Sequence, residues 1–545
     1  MIRHLNPKLA IHQKLLLATP PLTLFAISYW INSPMYGAWF GIIDDHFYIS
    51  QLVPGNELKL WQIPRELLET ELGSFGNTTR YRPTYWILQF TQTYIFGDSA
   101  GARYLLRSLS QAMSSFLIYK ICLLRFSNAI VVGYFANFER QLIALTVAFS
   151  SMGLLSWGDI TLRLGPSEAD LVLGICISTY AAFLIIYEGE VGANNQSKKF
   201  SLLCIGVLIA SGSKENGILT YLLLLYITIF YTRRQLAHSI TNTILFAITS
   251  FQVLGVTINS LLVFGSGADV YLNERSPSLM VSTLLDHIRS ENFILLALTT
   301  CLMFFIFKIA PSAHTKAHCV IVLFFFFMNI SENIFYRGNL QPLRYAILTQ
   351  ISYLVSFGIL VINILKIVYE KYNKNKINFH LLTAVCTIII AFVWSPEKNL
   401  QTLRETALEN SEMTLIWRNE LDELAANISE NPSYQVVFYQ FNAMNDYERI
   451  FSTIKFLRYH KVENPIFLKI NSASYEDKTL DKALLETLKS ISKSGSSDWE
   501  IDPISNLKVN ANIYCISFGV DLEDSQLYDH AEIARSCRGI KSITS

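Results

Sequence analysis

The chain has 545 residues, of which 51% are hydrophobic and only 16% are charged, and its formal net charge is +1. A soluble protein carries about a quarter charged residues, and the apolar residues here come in long uninterrupted runs, which is typical of a protein that crosses a membrane many times. The near-zero net charge argues against a nucleic-acid partner, and the cysteines lack the spacing of a zinc site.

Eleven apolar segments predict a mostly α-helical membrane bundle over residues 1–394. The first segment is predicted to be retained as a span, because Pro20 and Pro21 interrupt it and no small-residue cleavage site follows before Trp39. The predicted spans are residues 15–33, 101–124, 141–157, 167–187, 200–213, 218–231, 239–264, 293–310, 317–331, 343–366 and 379–394. The fifth and sixth are short for a bilayer that needs about 20 apolar residues.

The distribution of basic residues predicts the orientation of the bundle. Most lysine and arginine clusters fall in the even-numbered gaps between spans, which are cytoplasmic if the N-terminus is inside. The odd-numbered gaps, which include the first outer loop at 34–100, carry most of the acidic residues. An odd number of spans then places residues 395–545 on the outer side.

Residues 395–545 differ in composition from the bundle and predict a small α/β domain. A polar helix at 400–428 precedes strands and helices that alternate. The predicted strands are 435–439, 465–470 and 511–517, and the predicted helices are 447–460 and 480–490. Cys515 and Cys537 fall in this domain and are either paired, if it faces an oxidising compartment, or two free thiols.

An acidic pair in the first outer loop is the leading catalytic candidate. Asp44 and Asp45 are adjacent and are followed by His46 and Tyr48. A carboxylate beside an apolar wall has a raised pKa, which suits it to take a proton from a hydroxyl group. The two carboxylates can divide the work, one as base and the other holding a metal or orienting the acceptor. The alternative is a solvated loop with an aspartate that caps a helix.

Two arginines follow the acidic pair at the end of the same loop. Arg80 and Arg82 precede Pro83, which stiffens the start of an apolar segment. Guanidinium groups bind phosphate with two parallel hydrogen bonds. The alternative is that both side chains only extend from the membrane interface toward water.

Further charged residues lie on the predicted outer side. Arg163 is placed to pair with Glu168, which is a structural interpretation, and Lys214 with Glu215 forms either an ion pair or a phosphate contact. Arg337 and Arg344 oppose the usual preference of basic residues for the cytoplasmic side, which favours an anionic ligand such as a lipid phosphate. Charged groups at membrane depth cost about 2.5–3.5 kcal/mol each and are therefore functional candidates.

These motifs, in this order, resemble those of the C-type membrane glycosyltransferases (GT-C), the group that includes the protein O-mannosyltransferases. The resemblance covers about the first 220 residues. It consists of an apolar first span followed by DDHFYI at 44–49, RYRPTYWILQFTQTYIFGDSAGARYLLRSL at 80–109, DITLRLGPSE at 159–168 and SKENGI at 213–218.

The resemblance implies an enzyme that takes a sugar from a polyprenyl-phosphate sugar, typically with inversion, and passes it to a glycan, lipid or protein on the outer face. It implies Asp44 or Asp45 as the base, with Asp44 favoured, and Arg82, Lys214 and Arg344 as contacts of the donor phosphate. By their own place among the outer-side charged and polar residues, Arg80, Arg163 and Arg337 are further candidates for the phosphate, and His46, Tyr48, Glu168 and Glu215 are candidates for orienting the acceptor.

The resemblance fits a bacterial inner membrane, with the N-terminus in the cytoplasm and residues 395–545 in the periplasm. No organic cofactor is implied. A divalent cation held by Asp44, Asp45 and His46 is an option, since carboxylate oxygen and imidazole both bind metals.

Two other functions compete with glycosyl transfer. A transporter or flippase of a lipid-linked glycan also needs arginines and carboxylates, but broken helices and symmetric halves are expected of it, and the sequence shows no symmetry. A receptor or polymer-export component without enzymatic activity is the third hypothesis, and the carboxylate pair argues against it.

Overall fold

The structure, a computed structural model, is mostly α-helical and has one small parallel sheet. It describes residues 7–41, 45–53, 57–72, 81–123, 134–191, 196–232, 239–266, 277–335, 343–372, 379–440, 443–470, 501–502, 512–518 and 537–543. Its helices are α1 (Pro7–Asn32), α2 (His46–Ser50), α3 (Ile63–Leu72), α4 (Pro83–Phe96), α5 (Ala100–Cys122), α6 (Tyr134–Met152), α7 (Ser156–Thr161), α8 (Glu168–Val191), α9 (Ser197–Ser213), α10 (Thr220–Ile227), α11 (Ile240–Ser266), α12 (Pro277–Arg289), α13 (Glu291–Ile309), α14 (Ala313–Phe335), α15 (Ile347–Tyr372), α16 (Phe379–Trp394), α17 (Pro396–Ser429) and α18 (Ala443–Tyr459). Short 3₁₀ turns lie at Ser33–Gly37, Leu60–Gln62, Glu215–Leu219 and Leu343–Ala346.

Five helices of the described chain are long and apolar enough to cross a membrane. They are Glu168–Glu188, Ile240–Leu262, Glu291–Ile309, Ala313–Glu332 and Arg344–Val368. All five coincide with predicted spans. Two shorter apolar helices, Gln141–Met152 and Glu215–Tyr231, fall in the third and sixth predicted spans. Helices of this length and composition are typical of a membrane protein. In lipid, a helix satisfies every backbone polar group within its own segment.

Three details of the described helical part differ from the expectation. The predicted loop 265–291 contains the amphipathic helix α12, and the predicted first outer loop 34–100 contains three helices, of which α4 is the longest. The proline pair Pro20 and Pro21 lies inside the single helix α1. The long apolar runs indicated the five membrane-length helices, and they carried no signal for shorter or amphipathic helices.

Helices α8 and α9 pack closely at the centre of the bundle. A Cβ atom at Gly174 would lie 2.5 Å from the amide nitrogen of Ala210, and one at Gly206 would lie 2.6 Å from that of Ser178. Small residues at a helix crossing let two backbones approach, which is a common way to pack membrane helices. The crossing fixes Glu168, at the start of α8, relative to the residues that follow α9.

The C-terminal part contains a five-stranded parallel sheet in the order β3-β2-β1-β4-β5. The strands are β1 (Gln435–Gln440), β2 (Ile466–Ile470), β3 (Ile501–Asp502), β4 (Ile513–Phe518) and β5 (Cys537–Ile543). The three predicted strands are confirmed as β1, β2 and β4, and the predicted helices at 400–428 and 447–460 as α17 and α18. The predicted helix 480–490 lies outside the described residues.

Cys515, on strand β4, is disulfide-bonded. Its predicted partner is Cys537, whose side chain is not among those that the structure describes. The six cysteines at positions 122, 176, 204, 301, 319 and 386 are free.

The C-terminal part shares a hydrophobic core with the first outer loop. Buried side chains of the loop, such as Met35 and Tyr48, lie in one cluster with Leu421 of α17 and Phe438 of β1. Helix α17 also bonds directly to the loop, since the backbone N–H of Trp39 donates to Oγ1 of Thr414 at 3.1 Å. The sheet therefore lies over the end of the bundle at which the outer loop begins.

Candidate functional site

The carboxylate of Asp45 holds a loop between α7 and α8 in place. Asp45 is fully buried. Its Oδ1 accepts hydrogen bonds from the backbone N–H groups of Leu164 and Gly165 at 3.0 and 3.1 Å, and its Oδ2 accepts one from Gly41 at 2.8 Å. Hydrogen bonds from several backbone amides satisfy a buried carboxylate well. Asp45 therefore connects two loops rather than facing an open site.

The carbonyl groups of the same loop are bound by three further side chains. Arg107 Nη2 donates to the carbonyl oxygen of Leu164 at 2.6 Å, and the Tyr48 hydroxyl donates to that oxygen at 3.2 Å. The Tyr85 hydroxyl donates to the carbonyl oxygen of Gly165 at 2.6 Å. Because burial raises the pKa of Tyr48 above its ordinary value, the phenol stays protonated and keeps this donor. We call residues 162–167, to which these three side chains and Asp45 bind, the clamped loop.

Two arginines of α5 lie beside the clamped loop. Arg107 bonds to it directly, and Arg103 packs on Tyr48, which bonds to it. Arg103 stacks on the Tyr48 ring, with its guanidinium carbon 4.1 Å from the ring centroid, and donates to the carbonyl oxygen of Gly97 at 2.7 Å. Arg107 also lies 3.6 Å from a carboxylate oxygen of Asp170. Both arginines are buried. Buried charge is tolerated when it is paired in this way.

Two ion pairs connect the residues that follow α9 to the starts of helices α8 and α4. Lys214 Nζ lies 2.7 Å from Oε1 of Glu168, and both side chains are buried. Arg82 Nη2 lies 3.4 Å from Oε1 of Glu215. Among the described residues Glu168 pairs with Lys214, and no ion pair joins it to Arg163. The neighbours Lys214 and Glu215 bond to different partners rather than to each other.

The turn after α9 explains how Lys214 and Glu215 diverge. Helix α9 ends at Ser213, Lys214 is extended with φ −158° and ψ 151°, and a 3₁₀ turn begins at Glu215. A Cβ atom at Gly217 would lie 2.1 Å from the carbonyl oxygen of Ala210. A glycine at this position therefore lets the turn fold back on α9, which directs consecutive side chains in different directions.

Arg344 and Tyr345 complete the basic cluster. The Tyr345 ring lies between two cations, with Lys214 Nζ 4.2 Å and the Arg344 guanidinium carbon 5.2 Å from its centroid. The backbone N–H of Arg344 donates to Oδ2 of Asp159 at 3.4 Å. Arg82 and Arg344 both interact electrostatically with Glu168. Three cations from separate parts of the chain thus act on the Glu168 carboxylate, and Lys214 contacts it directly.

Glu332 adds a second buried carboxylate to this region. The Asn216 side-chain amide donates to Glu332, and both residues are buried. Lys214 interacts electrostatically with Glu332 as well as with Glu168.

The structure brings most of the predicted site residues together. Asp45, Tyr48 and Arg163 meet at the clamped loop, while Arg82, Lys214 and Arg344 gather near Glu168 and Glu215. Asp44, Arg80 and Arg337 lie outside the described residues, as does the side chain of His46. The part of the chain that the structure describes holds no group of three or more His, Cys, Asp or Glu that is arranged for a metal ion.

Sequence reasoning did not single out five residues of the site: Arg103, Arg107, Asp170, Asn216 and Glu332. A usable signal existed for the first two. They lie one helical turn apart inside a predicted span, where charge is costly and needs a partner. Asp170 likewise falls inside the predicted span 167–187. The role of Asn216 depends on a contact with a residue 116 positions away, which no local pattern reveals.

Comparisons with known proteins do not place the chain in a family, since neither a protein-family model nor a curated protein sequence matches it.

Proposed function

We propose that the chain is a GT-C-type membrane glycosyltransferase that moves a sugar from a polyprenyl-phosphate donor to a glycan, lipid or protein acceptor on the outer face of the membrane. The observation that supports it best is the cluster of Arg82, Lys214 and Arg344 around Glu168. A phosphate leaving group needs cations held in place before the reaction, and protein dipoles and charges fixed in a dry site stabilise developing charge better than water does.

The acidic pair is proposed to divide its roles. Asp45 already binds three backbone amides, so Asp44 is the proposed general base. It would take the proton of the acceptor hydroxyl, whose oxygen attacks the anomeric carbon. The bond from that carbon to the phosphate oxygen breaks, and polyprenyl phosphate leaves toward the cations. Attack from the side opposite the leaving group inverts the anomeric centre.

The proposed topology places this reaction outside the cytoplasm. Residues 1–394 form eleven spans with the N-terminus inside, and residues 395–545 form a periplasmic domain at a bacterial inner membrane. The disulfide at Cys515 supports this placement, because disulfides persist in oxidising compartments and are rare in the cytosol. The core shared between the outer loop and the C-terminal part also supports it, since both must lie on one side of the membrane.

The test is transfer of labelled sugar from a panel of polyprenyl-phosphate sugars by purified protein, with and without a chelator. We expect Asp44→Asn to abolish turnover and to retain donor binding, and Asp45→Asn to lower the thermal midpoint as well as turnover. Asp98→Asn, an exposed aspartate between α4 and α5, is the matched control. Full turnover by Asp44→Asn would refute the assignment of the base. A folded protein that turns over no donor would favour the transporter, and lipid translocation would then be assayed.

A further inference from the structure

The two ion pairs of the site differ in how firmly they are held. The Lys214–Glu168 pair has a 2.7 Å contact between side chains that are 1% and 5% exposed. The Arg82–Glu215 pair has a 3.4 Å contact between side chains that are 20% and 15% exposed. Charge-assisted hydrogen bonds between nitrogen and oxygen usually measure about 2.7–2.9 Å. The second pair is therefore long and within reach of solvent.

Arg82 lies where an anion is favoured. It directly precedes helix α4, and the helix continues from it, since the backbone N–H of Trp86 donates to the Arg82 carbonyl oxygen at 3.1 Å. The start of a helix carries a partial positive charge that adds to that of the guanidinium. Arg82 has φ −134° and ψ 61°, outside the helical region, and Pro83 restricts its backbone, so the side chain leaves the helix end from a defined position. A carboxylate and a phosphate oxygen are equivalent acceptors for such a guanidinium.

We infer that the Glu215 carboxylate occupies the position on Arg82 that the phosphate of a lipid-linked donor takes when it binds. Glu215 is thus an internal competitor for the anion, and the donor displaces it. The buried Lys214–Glu168 pair stays intact and holds the turn during this exchange. The inference rests on the proposed function, because it names which cation of the cluster accepts the donor.

The inference makes an unusual prediction about sign. Removing the charge of Glu215, a residue of the site, raises the affinity for the anion. We expect Glu215→Gln to bind polyprenyl phosphate about twofold to fivefold more tightly than the unaltered chain, which corresponds to the free energy of a partly exposed ion pair. Arg82→Gln weakens binding. The measurement is equilibrium binding of labelled polyprenyl phosphate to the full chain in nanodiscs of phosphatidylcholine.

Two further variants separate competition from a general change of charge. Glu215→Asp keeps the charge and shortens the side chain by one methylene, so it also binds the probe more tightly. In the double variant Arg82→Gln/Glu215→Gln, the substitution of Glu215 has no further effect on binding, because Arg82, the group for which Glu215 and the phosphate compete, is gone. Glu69→Gln is the matched control: this glutamate pairs with Arg65 at 2.6 Å on an exposed helix of the same outer loop, and its loss leaves binding unchanged.

Parallel arms identify the source of the phosphate. Inorganic phosphate and nanodiscs containing phosphatidylglycerol are offered as competitors of the labelled probe. Competition by polyprenyl phosphate alone supports a dedicated donor site, whereas equal competition by phosphatidylglycerol assigns Arg82 to bulk lipid and overturns the inference. Unchanged or weaker binding by a folded Glu215→Gln protein also overturns it, and leaves the proposed function standing if the unaltered chain binds the probe and transfers sugar. Failure of the unaltered chain to bind the probe refutes both.

Discussion

Asp45 shows how one residue fixes the geometry of the site. Its carboxylate joins Gly41, in the outer loop, to Leu164 and Gly165 of the clamped loop, which lie about 120 positions later. A hydrogen bond to a charged group contributes about 1.5–3 kcal/mol.

Replacing Asp45 should therefore destabilise the protein. In Asp45→Asn, one acceptor oxygen becomes an amide group that faces a backbone N–H donor, so at least one buried donor loses its partner. We expect a loss of about 2–3 kcal/mol in the free energy of unfolding, seen as a lower thermal midpoint in detergent. Asp98→Asn, which is exposed, should leave the midpoint unchanged. An equal midpoint for both variants would contradict the role assigned to Asp45.

The sequence predicted the residue types of the site better than their pairing. Asp45 and the cations Arg82, Lys214 and Arg344 were singled out because charge near a membrane is costly. Their pairing was not predicted, since Glu168 and Lys214 are 46 positions apart. Lys214 and Glu215 were expected to form either an ion pair or a phosphate contact, and the extended conformation of Lys214 directs the two side chains to different partners. Pairing depends on backbone direction, which charge patterns do not encode.

The close crossing of α8 and α9 is the feature that matters most among the helices. The amide nitrogen and hydroxyl oxygen of Ser178 both lie 2.6 Å from a Cβ atom built at Gly206, and the carbonyl oxygen of Gly174 lies at 2.9 Å. Contacts this short involve backbone atoms that cannot move alone. A side chain at Gly206 must push the two helices apart.

Gly206→Val should lower the free energy of unfolding by about 1–3 kcal/mol, because overpacking a tight contact forces the backbones to separate. It should also reduce turnover, since the crossing positions Glu168 relative to Lys214. The thermal midpoint in detergent measures the first effect. Gly37→Ala is the control, because a Cβ atom at Gly37 meets nothing within 4 Å. A Gly206→Val protein as stable as the control would show that the crossing is looser than the structure has it.

Among the helices and strands, the sequence best indicated those that lie in runs of apolar residues. Five of the predicted spans, seen as helices long and apolar enough to cross a membrane, and three strands were found from runs of apolar residues. Helix α12 was missed, because it is amphipathic and lies in a stretch that was assigned as a loop for lacking a long apolar run. Strands β3 and β5 were also missed. Both are edge strands of the sheet, and β3 has only two residues.

For the whole molecule, the contacts of the C-terminal part bear on the side of the membrane on which that part lies. Helix α17 and strand β1 pack on the predicted first outer loop, so these parts of the chain are expected on one side of the membrane. A fusion of alkaline phosphatase after residue 545 should be active, because that enzyme needs the periplasm, and a fusion after residue 376 should be inactive. Fluorescent-protein fusions at the same points should give the opposite result. An inactive fusion at the C-terminus would refute the proposed even-and-odd assignment of the gaps.

The shared core also has a consequence for biosynthesis. Trp39 and Thr414 bond across 375 positions of sequence, so the ribosome completes the second partner about 20–75 s after the first at 5–20 residues per second. In the proposed topology, the apolar side chains of the outer loop cross the membrane before the residues that cover them are made. Met35 and its neighbours are then exposed until α17 and the sheet pack on them. A ribosome that stalls near residue 394 would leave a bundle with an uncovered loop, which is the kind of fragment that membrane proteases degrade.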